Sequence, residues 1–210
     1  MSHDDTVRRL LEAAGTTYAE DAGIRLDDKP MPLFELLVLC MLASKPIDAT
    51  IATRAAREIF AEKLRTPAAV LDADRRTMIA AFGRAGYARY DESSATRLVD
   101  IATAVRDDYD GDLRGLAACA EHNVSQANRM LTEFKGIGDT GAGIFLREVQ
   151  DVWTWARPYF DPRATDAAKE LGLPADAEKL AQLAGGECAR LAAALVRVSL
   201  DDGIREKVST

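Results

Sequence analysis

The sequence predicts an all-α protein, and three observations lead to that prediction. Apolar residues return at helical spacings of three and four along most of the chain. Helix starts are marked where a side chain able to cap a helix precedes a proline, as in Thr66-Pro67 and Asp161-Pro162. Short alternating runs rich in Val, Ile and Thr, which are typical of strands, are missing. We therefore expect about ten short helices joined by compact connectors.

The helical segments can be placed in order along the chain. The first runs through 34–42, the next begins at Thr66-Pro67, a third covers 98–105, a fourth covers 142–149, and the last clear start is Asp161-Pro162. The apolar positions that define three of these segments are Phe34, Leu37, Val38, Met41 and Leu42; Leu98, Val99, Ala102 and Val105; and Ala142, Phe145, Leu146 and Val149. No repeat of fixed period interrupts them, which argues against a solenoid.

Length and composition bound the class of protein. The 210 residues, of which 48% are hydrophobic, suffice to bury a core as one domain or as two small ones. No apolar run approaches the roughly 18 residues that a membrane span needs, and the amino terminus lacks a secretory signal pattern. The three cysteines, Cys40, Cys119 and Cys188, are widely separated, which indicates reduced, buried thiols rather than disulfides. We expect a soluble, cytoplasmic chain with no membrane partner.

The formal net charge of −7 counts against nucleic-acid binding, because contacts to phosphate draw their affinity from Lys and Arg. The charges are unevenly distributed, however. Acidic residues concentrate near the amino terminus and in 107–112, whereas Arg and Lys recur through 54–97 and 129–169. A basic face is therefore compatible with a net acidic chain.

The most informative segment is 130–145, where one amphipathic helix ends, Gly136-Ile137-Gly138 forms a tight turn, and another helix begins. The two glycines permit a positive φ and leave no side chain between the backbone and a partner. The amides of such a turn, at the positive end of the second helix, suit a phosphate. Ile137 would pack back between the two helices and hold the turn rigid. An ordinary connection between two helices uses glycine in the same way.

Several motifs in sequence order resemble the helix-hairpin-helix (HhH-GPD) superfamily of base-excision DNA glycosylases, which includes endonuclease III. The resemblance covers roughly 30–175 and is strongest at the glycine turn. The other motifs that contribute to it are 32–37, Met41-Leu42-Ala43-Ser44-Lys45-Pro46-Ile47-Asp48, 66–69, Gly86-Tyr87, Phe160-Asp161-Pro162-Arg163 and Leu171-Gly172-Leu173-Pro174. It implies an endonuclease III-like, two-lobed helical fold: a six-helix barrel in 31–150 with the hairpin at about 124–149, and a second helical domain from 1–30 plus 151–210.

The resemblance also implies a partner and residues that contact it. The implied partner is double-stranded DNA, and the protein is expected to be a monomer. Lys45 stands where a glutamine usually fills the gap left by a flipped base, although a solvated loop charge explains it equally simply. Contacts to the DNA backbone, which position a duplex without reading its sequence, would come from Arg129, Lys135, Gly136, Ile137, Gly138, Thr140 and Arg147. The hairpin carbonyls of relatives coordinate a monovalent cation.

Asp161 is the candidate catalytic residue. Removal of a base breaks an N-glycosidic bond through a cationic sugar, which a nearby carboxylate stabilises or supplies with an activated water. The alternative for Asp161 is a structural role as a helix cap, and the two roles are compatible. The flipped base could stack on aromatic residues that follow the hairpin, although core packing accounts for the tryptophans as well; these are Trp153, Trp155, Tyr159 and Phe160.

The chain departs from the family at four places. Thr140 occupies the position of the lysine that forms a Schiff base in bifunctional members, which excludes strand cleavage through that residue. The four cysteines of an iron-sulfur cluster are missing, with only Cys188 in that region, so we expect no cofactor or metal. Asp139 lies beside the amides that would face a phosphate and would compete with it. Arg163 replaces a frequent histidine.

Three hypotheses remain at the level of sequence. The first is a DNA-repair enzyme, a monofunctional glycosylase that hydrolyses the bond to a damaged or mismatched base. The second is a DNA-binding relative that keeps the fold without the chemistry, as Thr140, Asp139 and Lys45 would allow. The third is a helical interaction domain, which the acidic balance suggests.

Overall fold

The all-α prediction is confirmed. A computed structural model describes residues 2–209, with Ser209 described by its backbone alone, and within them there are fourteen α-helices, two short 3-10 helices and no strand. The α-helices are α1 (His3–Ala14), α2 (Tyr18–Asp21), α3 (Pro30–Ala43), α4 (Ala49–Ala61), α5 (Pro67–Asp72), α6 (Arg75–Arg84), α7 (Asp91–Tyr109), α8 (Arg114–Cys119), α9 (Val124–Thr132), α10 (Asp139–Val149), α11 (Pro162–Glu170), α12 (Ala177–Ala184), α13 (Cys188–Leu200) and α14 (Asp202–Ser209). The 3-10 helices are Ala88–Tyr90 and Thr154–Ala156.

The chain divides into two compact units. The central unit is Ala19–Phe145, and the terminal unit combines Met1–Tyr18 with Leu146–Thr210. These boundaries differ from the expected 31–150 and 1–30 plus 151–210. Residues 19–30 belong to the central unit, and residues 146–150 belong to the terminal unit.

The core of the central unit is built around α3. Every residue of α3 from Pro32 to Leu42 is buried, so this helix is covered on all sides rather than along one stripe. It packs against α4 and α7, while α5 also packs on α7 and α6 packs on α4. The Tyr87 hydroxyl donates to the Leu42 carbonyl over 2.9 Å and so satisfies a backbone acceptor at the end of α3.

The core of the terminal unit is built around α13, which packs against α1 and α11. Two arginines of α13 fix the end of α1. Nε of Arg190 donates to the carbonyl of Gly15 and Nε of Arg197 donates to that of Thr16, so acceptors just beyond the last turn of α1 are satisfied.

Both predicted proline-marked helix starts are confirmed. The Thr66 hydroxyl accepts from the Ala69 amide at the start of α5, and the Asp161 carboxylate accepts from the Ala164 amide at the start of α11.

The cysteine prediction was wrong in part. Cys40 and Cys188 are buried free thiols, but Cys119 is exposed because it lies outside the buried stripe of Leu116, Ala117 and Ala120. In the described part of the chain, no helix has the length and apolar character needed to cross a membrane.

Candidate functional site

The glycine turn joins two helices in the central unit. Residues 133–138 connect α9 to α10, and the connection is closed by bonds from the Ile137 amide to the Phe134 carbonyl and from the Ala142 amide to the Gly138 carbonyl, both 3.0 Å. Ile137 is buried, so its side chain supports the turn and does not reach solvent. Gly138, Asp139 and Thr140 are exposed at the amino-terminal end of α10. A short, rigid turn thus presents the first amides of a helix to solvent.

The two glycines of the turn have different roles. Gly136 has a φ of +94°, a conformation that side-chain-bearing residues rarely adopt. A methyl group at Gly136 would also crowd the side chain of Arg97, whose Cγ would lie 3.2 Å from it. Gly138 has no positive φ, and a methyl group there would meet open space. Glycine permits a positive φ at both positions, and the turn uses it at Gly136 alone.

A third glycine, Gly141, contributes to the hairpin and was missed at the level of sequence. A methyl group at this position would overlap Oγ of Ser44 and would come within 3.4 Å of the Cys40 carbonyl. Gly141 therefore permits α10 to lie close against the end of α3. The available signal was a glycine inside a helical pattern, which often has a packing reason.

Cations lie near the turn, and one of them was not anticipated. Lys135 is well exposed, and its Nζ lies 3.9 Å from Oδ1 of Asp100. Arg97 of α7 covers Gly136 with its aliphatic stem and donates from Nη1 to Oδ2 of Asp100 over 2.9 Å. Arg129 is exposed in the last turn of α9. Because Arg97 precedes the turn by almost forty positions, local spacing gives no sign that it reaches Gly136.

Lys45, the expected wedge, lies in the middle of the 41–48 motif, in the connection between α3 and α4. It is half-buried, and its Nζ is 6.0 Å from the centre of the Tyr90 ring. That geometry is a weak cation–π contact, which orients the ammonium group while leaving part of it in solvent.

The candidate catalytic residue, Asp161, lies in the terminal unit with both carboxylate oxygens engaged. Oδ1 accepts from the Ala164 amide over 3.0 Å, as a helix cap, and Oδ2 accepts from Nη1 of Arg147 over 2.6 Å. The side chain is 12% exposed. The geometry is that of a carboxylate fixed in place by two donors, with a limited opening to solvent.

The expected contact between Arg147 and DNA was wrong, because this side chain is only 3% exposed. Its Nε lies 3.6 Å from Oε1 of the buried Glu148, and its guanidinium lies 5.2 Å from the centre of the Tyr18 ring. Burial alone would lower the pKa of the guanidinium, but the charges of Glu148 and Asp161 outweigh it and raise that pKa. Arg147 is therefore a permanent buried cation that holds Asp161.

Gln150 fixes the segment that leads to Asp161. Its side-chain amide donates from Nε2 to the Tyr159 carbonyl, and its Oε1 accepts from the Tyr159 amide, each over 2.9 Å. Nε2 also donates to the Arg147 carbonyl over 3.0 Å. One buried side chain thereby joins the end of α10 to the residues just before α11. A lone glutamine in a polar stretch gave no sequence signal for this role.

The expected aromatic stacking surface is largely buried. Trp153 and Phe160 are 2% and 9% exposed, so neither offers a face to a flipped base, and Trp153 follows the alternative of core packing. Trp153 stacks on the half-buried Trp155, with ring centres 5.2 Å apart. Tyr159 is also half-buried, and burial, with the charge of Asp161, raises the pKa of its hydroxyl. Trp155 and Tyr159 keep some access to solvent.

No protein-family model, curated protein or solved structure gives a significant match to this chain. The two candidate functional features of the chain are the hairpin of the central unit and the Asp161 centre of the terminal unit.

Proposed function

We propose that the protein binds double-stranded DNA through the α9–α10 hairpin and acts in base-excision repair as a monofunctional DNA glycosylase with an endonuclease III-like, HhH-GPD fold. The observation that carries the proposal is the turn itself. Gly136 at a φ of +94° reverses the chain, and exposed residues 138–140 open the positive end of α10 to a phosphate. This contact is independent of base sequence, as damage recognition requires.

The proposed reaction is hydrolysis of the N-glycosidic bond. The bond from the sugar C1′ to the base nitrogen breaks, the electron pair leaves with the base, and water adds its oxygen to C1′ while its proton goes to solvent or to the departing base. Asp161 supplies negative charge beside the cationic sugar. Because both its oxygens already accept hydrogen bonds, electrostatic stabilisation suits this carboxylate better than proton abstraction.

The position of Thr140 supports hydrolysis over strand cleavage. A Schiff base needs an amine, and this exposed residue at the start of α10 offers only a hydroxyl. We therefore propose an abasic site as the product, with the DNA strand left intact.

The engagement of Asp161 also favours a second candidate, a DNA-binding protein without catalysis. A carboxylate that caps α11 and neutralises a buried arginine has a complete structural explanation. In this second proposal the hairpin still binds duplex DNA. The two candidates differ in the release of a base from DNA and not in DNA affinity.

Duplex binding can be tested by a charge placed at Gly138. Gly138→Glu fits the fold, because the position is open and exposed and an acidic side chain suits a helix amino terminus. It would repel a phosphate, so we expect a large loss of affinity in fluorescence anisotropy with a labelled duplex. Gly83→Glu is the matched control, since Gly83 is also exposed and open, in α6. Equal affinities for the two variants would refute the hairpin as the DNA contact.

A further inference from the structure

The α7 surface beside Gly136 carries a charge arrangement that the hairpin motif does not contain. Asp100 accepts from Nη1 of Arg97 over 2.9 Å and lies 3.9 Å from Nζ of Lys135, so one carboxylate holds two cations at the turn. The side chains of Arg97 and Lys135 are 40% and 70% exposed. These two cations and one anion sum to about +1, and the exposed Glu133 and Asp139 of the hairpin add two negative charges nearby, so the cations are a local feature of this surface.

The position of Arg97 is fixed by packing as well as by charge. Its Cβ, Cγ and Cδ atoms lie against the bare α-carbon of Gly136, within 3.5 Å of where a side chain would begin. The stem is therefore held against the turn while the guanidinium reaches solvent. A guanidinium held in this way suits a phosphate, to which it can donate two parallel hydrogen bonds.

We infer that Arg97 and Lys135 form a phosphate-binding pair for duplex DNA and that Asp100 occupies this pair in the free protein. The inference rests on the proposed DNA binding. Exposed ion pairs are weak in water, so an incoming phosphate can replace Asp100 as the partner of both cations. Asp100 then acts against binding: it keeps the two cations together but must be displaced. Removal of the Asp100 charge should therefore increase DNA affinity. Removal of a purely structural ion-pair partner would not increase it.

The test measures duplex affinity as a function of salt concentration for the full chain and its variants. Arg97→Gln removes one phosphate contact, so we expect weaker binding and a reduction of about 1 in the slope of log affinity against log salt. Arg97→Lys keeps the charge and should keep the slope. Asp100→Asn should tighten binding several-fold at low salt. Thermal unfolding of each variant checks that it is folded.

The same helix provides matched controls. Arg106 and Asp107 form an exposed ion pair on α7, nine and seven positions beyond Arg97 and Asp100. Arg106→Gln and Asp107→Asn make the same charge changes away from the turn and should shift affinity by less than the Arg97 and Asp100 variants do. Equal slopes for Arg97→Gln and Arg106→Gln, or weaker binding by Asp100→Asn, would overturn the inference. Absence of duplex binding by the unmodified protein would overturn the proposed function as well.

Discussion

Nη1 of Arg147, in the last turn of α10, donates to Oδ2 of Asp161, the residue that caps α11, over 2.6 Å. The arginine is 3% exposed and has two acidic neighbours, Asp161 and Glu148. Removal of the cation would take an ion-pair partner from Asp161 and Glu148 at once, whereas removal of one carboxylate leaves the arginine with the other. The arrangement explains why an arginine is buried at the end of α10 and what orients the Asp161 carboxylate.

We predict that Arg147→Met destabilises the protein by about 3–5 kcal/mol, the usual cost of breaking a buried ion pair from one side. The measurement is the free energy of unfolding in urea. Arg163→Met is the control, because Arg163 is an exposed arginine two positions after the same aspartate and its loss should cost less than about 0.5 kcal/mol.

The double variant Arg147→Met with Asp161→Asn should recover part of that loss, because the Asp161 carboxylate that has lost its cation is gone as well. A loss equal to the sum of the two single variants would show that the pair is not coupled and would contradict the ion pair as the reason for the burial of Arg147.

The two glycines of the hairpin should respond differently to alanine. Gly136→Ala should cost about 1–3 kcal/mol, because the residue has a φ of +94° and a methyl group would crowd Arg97. Gly138→Ala should change stability by less than about 0.5 kcal/mol. Thermal unfolding of both variants measures the difference, and equal melting temperatures would show that the turn does not require glycine at position 136.

Glu35 gives the protein a specific pH dependence. It is buried in α3, and burial raises the pKa of its carboxyl although Arg65, whose Nη1 lies 3.4 Å away, opposes the shift. A carboxyl with a raised pKa in the folded state adds stability below its unfolded pKa, and that stability is lost as the pH rises through the folded pKa. Glu35→Gln should therefore be more stable than the native protein at pH 7 and equal to it in mild acid.

Urea unfolding of both proteins at several pH values tests this, with the exposed Glu121→Gln as the control. A Glu35→Gln protein that is less stable at pH 7 would mean that the ion pair with Arg65 outweighs the cost of burial.

Local sequence patterns predicted the helical class, the caps at Thr66 and Asp161, and a glycine turn before α10. They could not reveal contacts across the fold. Arg147 looked like a surface cation because its partner lies 14 positions away and only the folded chain brings the two together. The same holds for Arg97 against Gly136. Short helices were undercounted, since α2 and α8 have four and six residues and cannot show a helical period.

The sequence left the burial of Trp153 open and did not indicate that of Phe160, for a related reason. Aromatic residues after a hairpin suit either a core or a ligand, and sequence spacing does not separate the two. The structure separates them by exposure, which leaves Trp155 and Tyr159 half-buried.

The most direct test of the proposed function is the release of a base. The native protein and Asp161→Asn, in which asparagine keeps the helix cap, are incubated with labelled duplexes that each carry one lesion, and alkali then cleaves any abasic site. We predict cleavage that depends on alkali, for at least one lesion, with the native protein and not with Asp161→Asn. Absence of cleavage across the panel with duplex binding retained would contradict the glycosylase and favour the DNA-binding protein without catalysis.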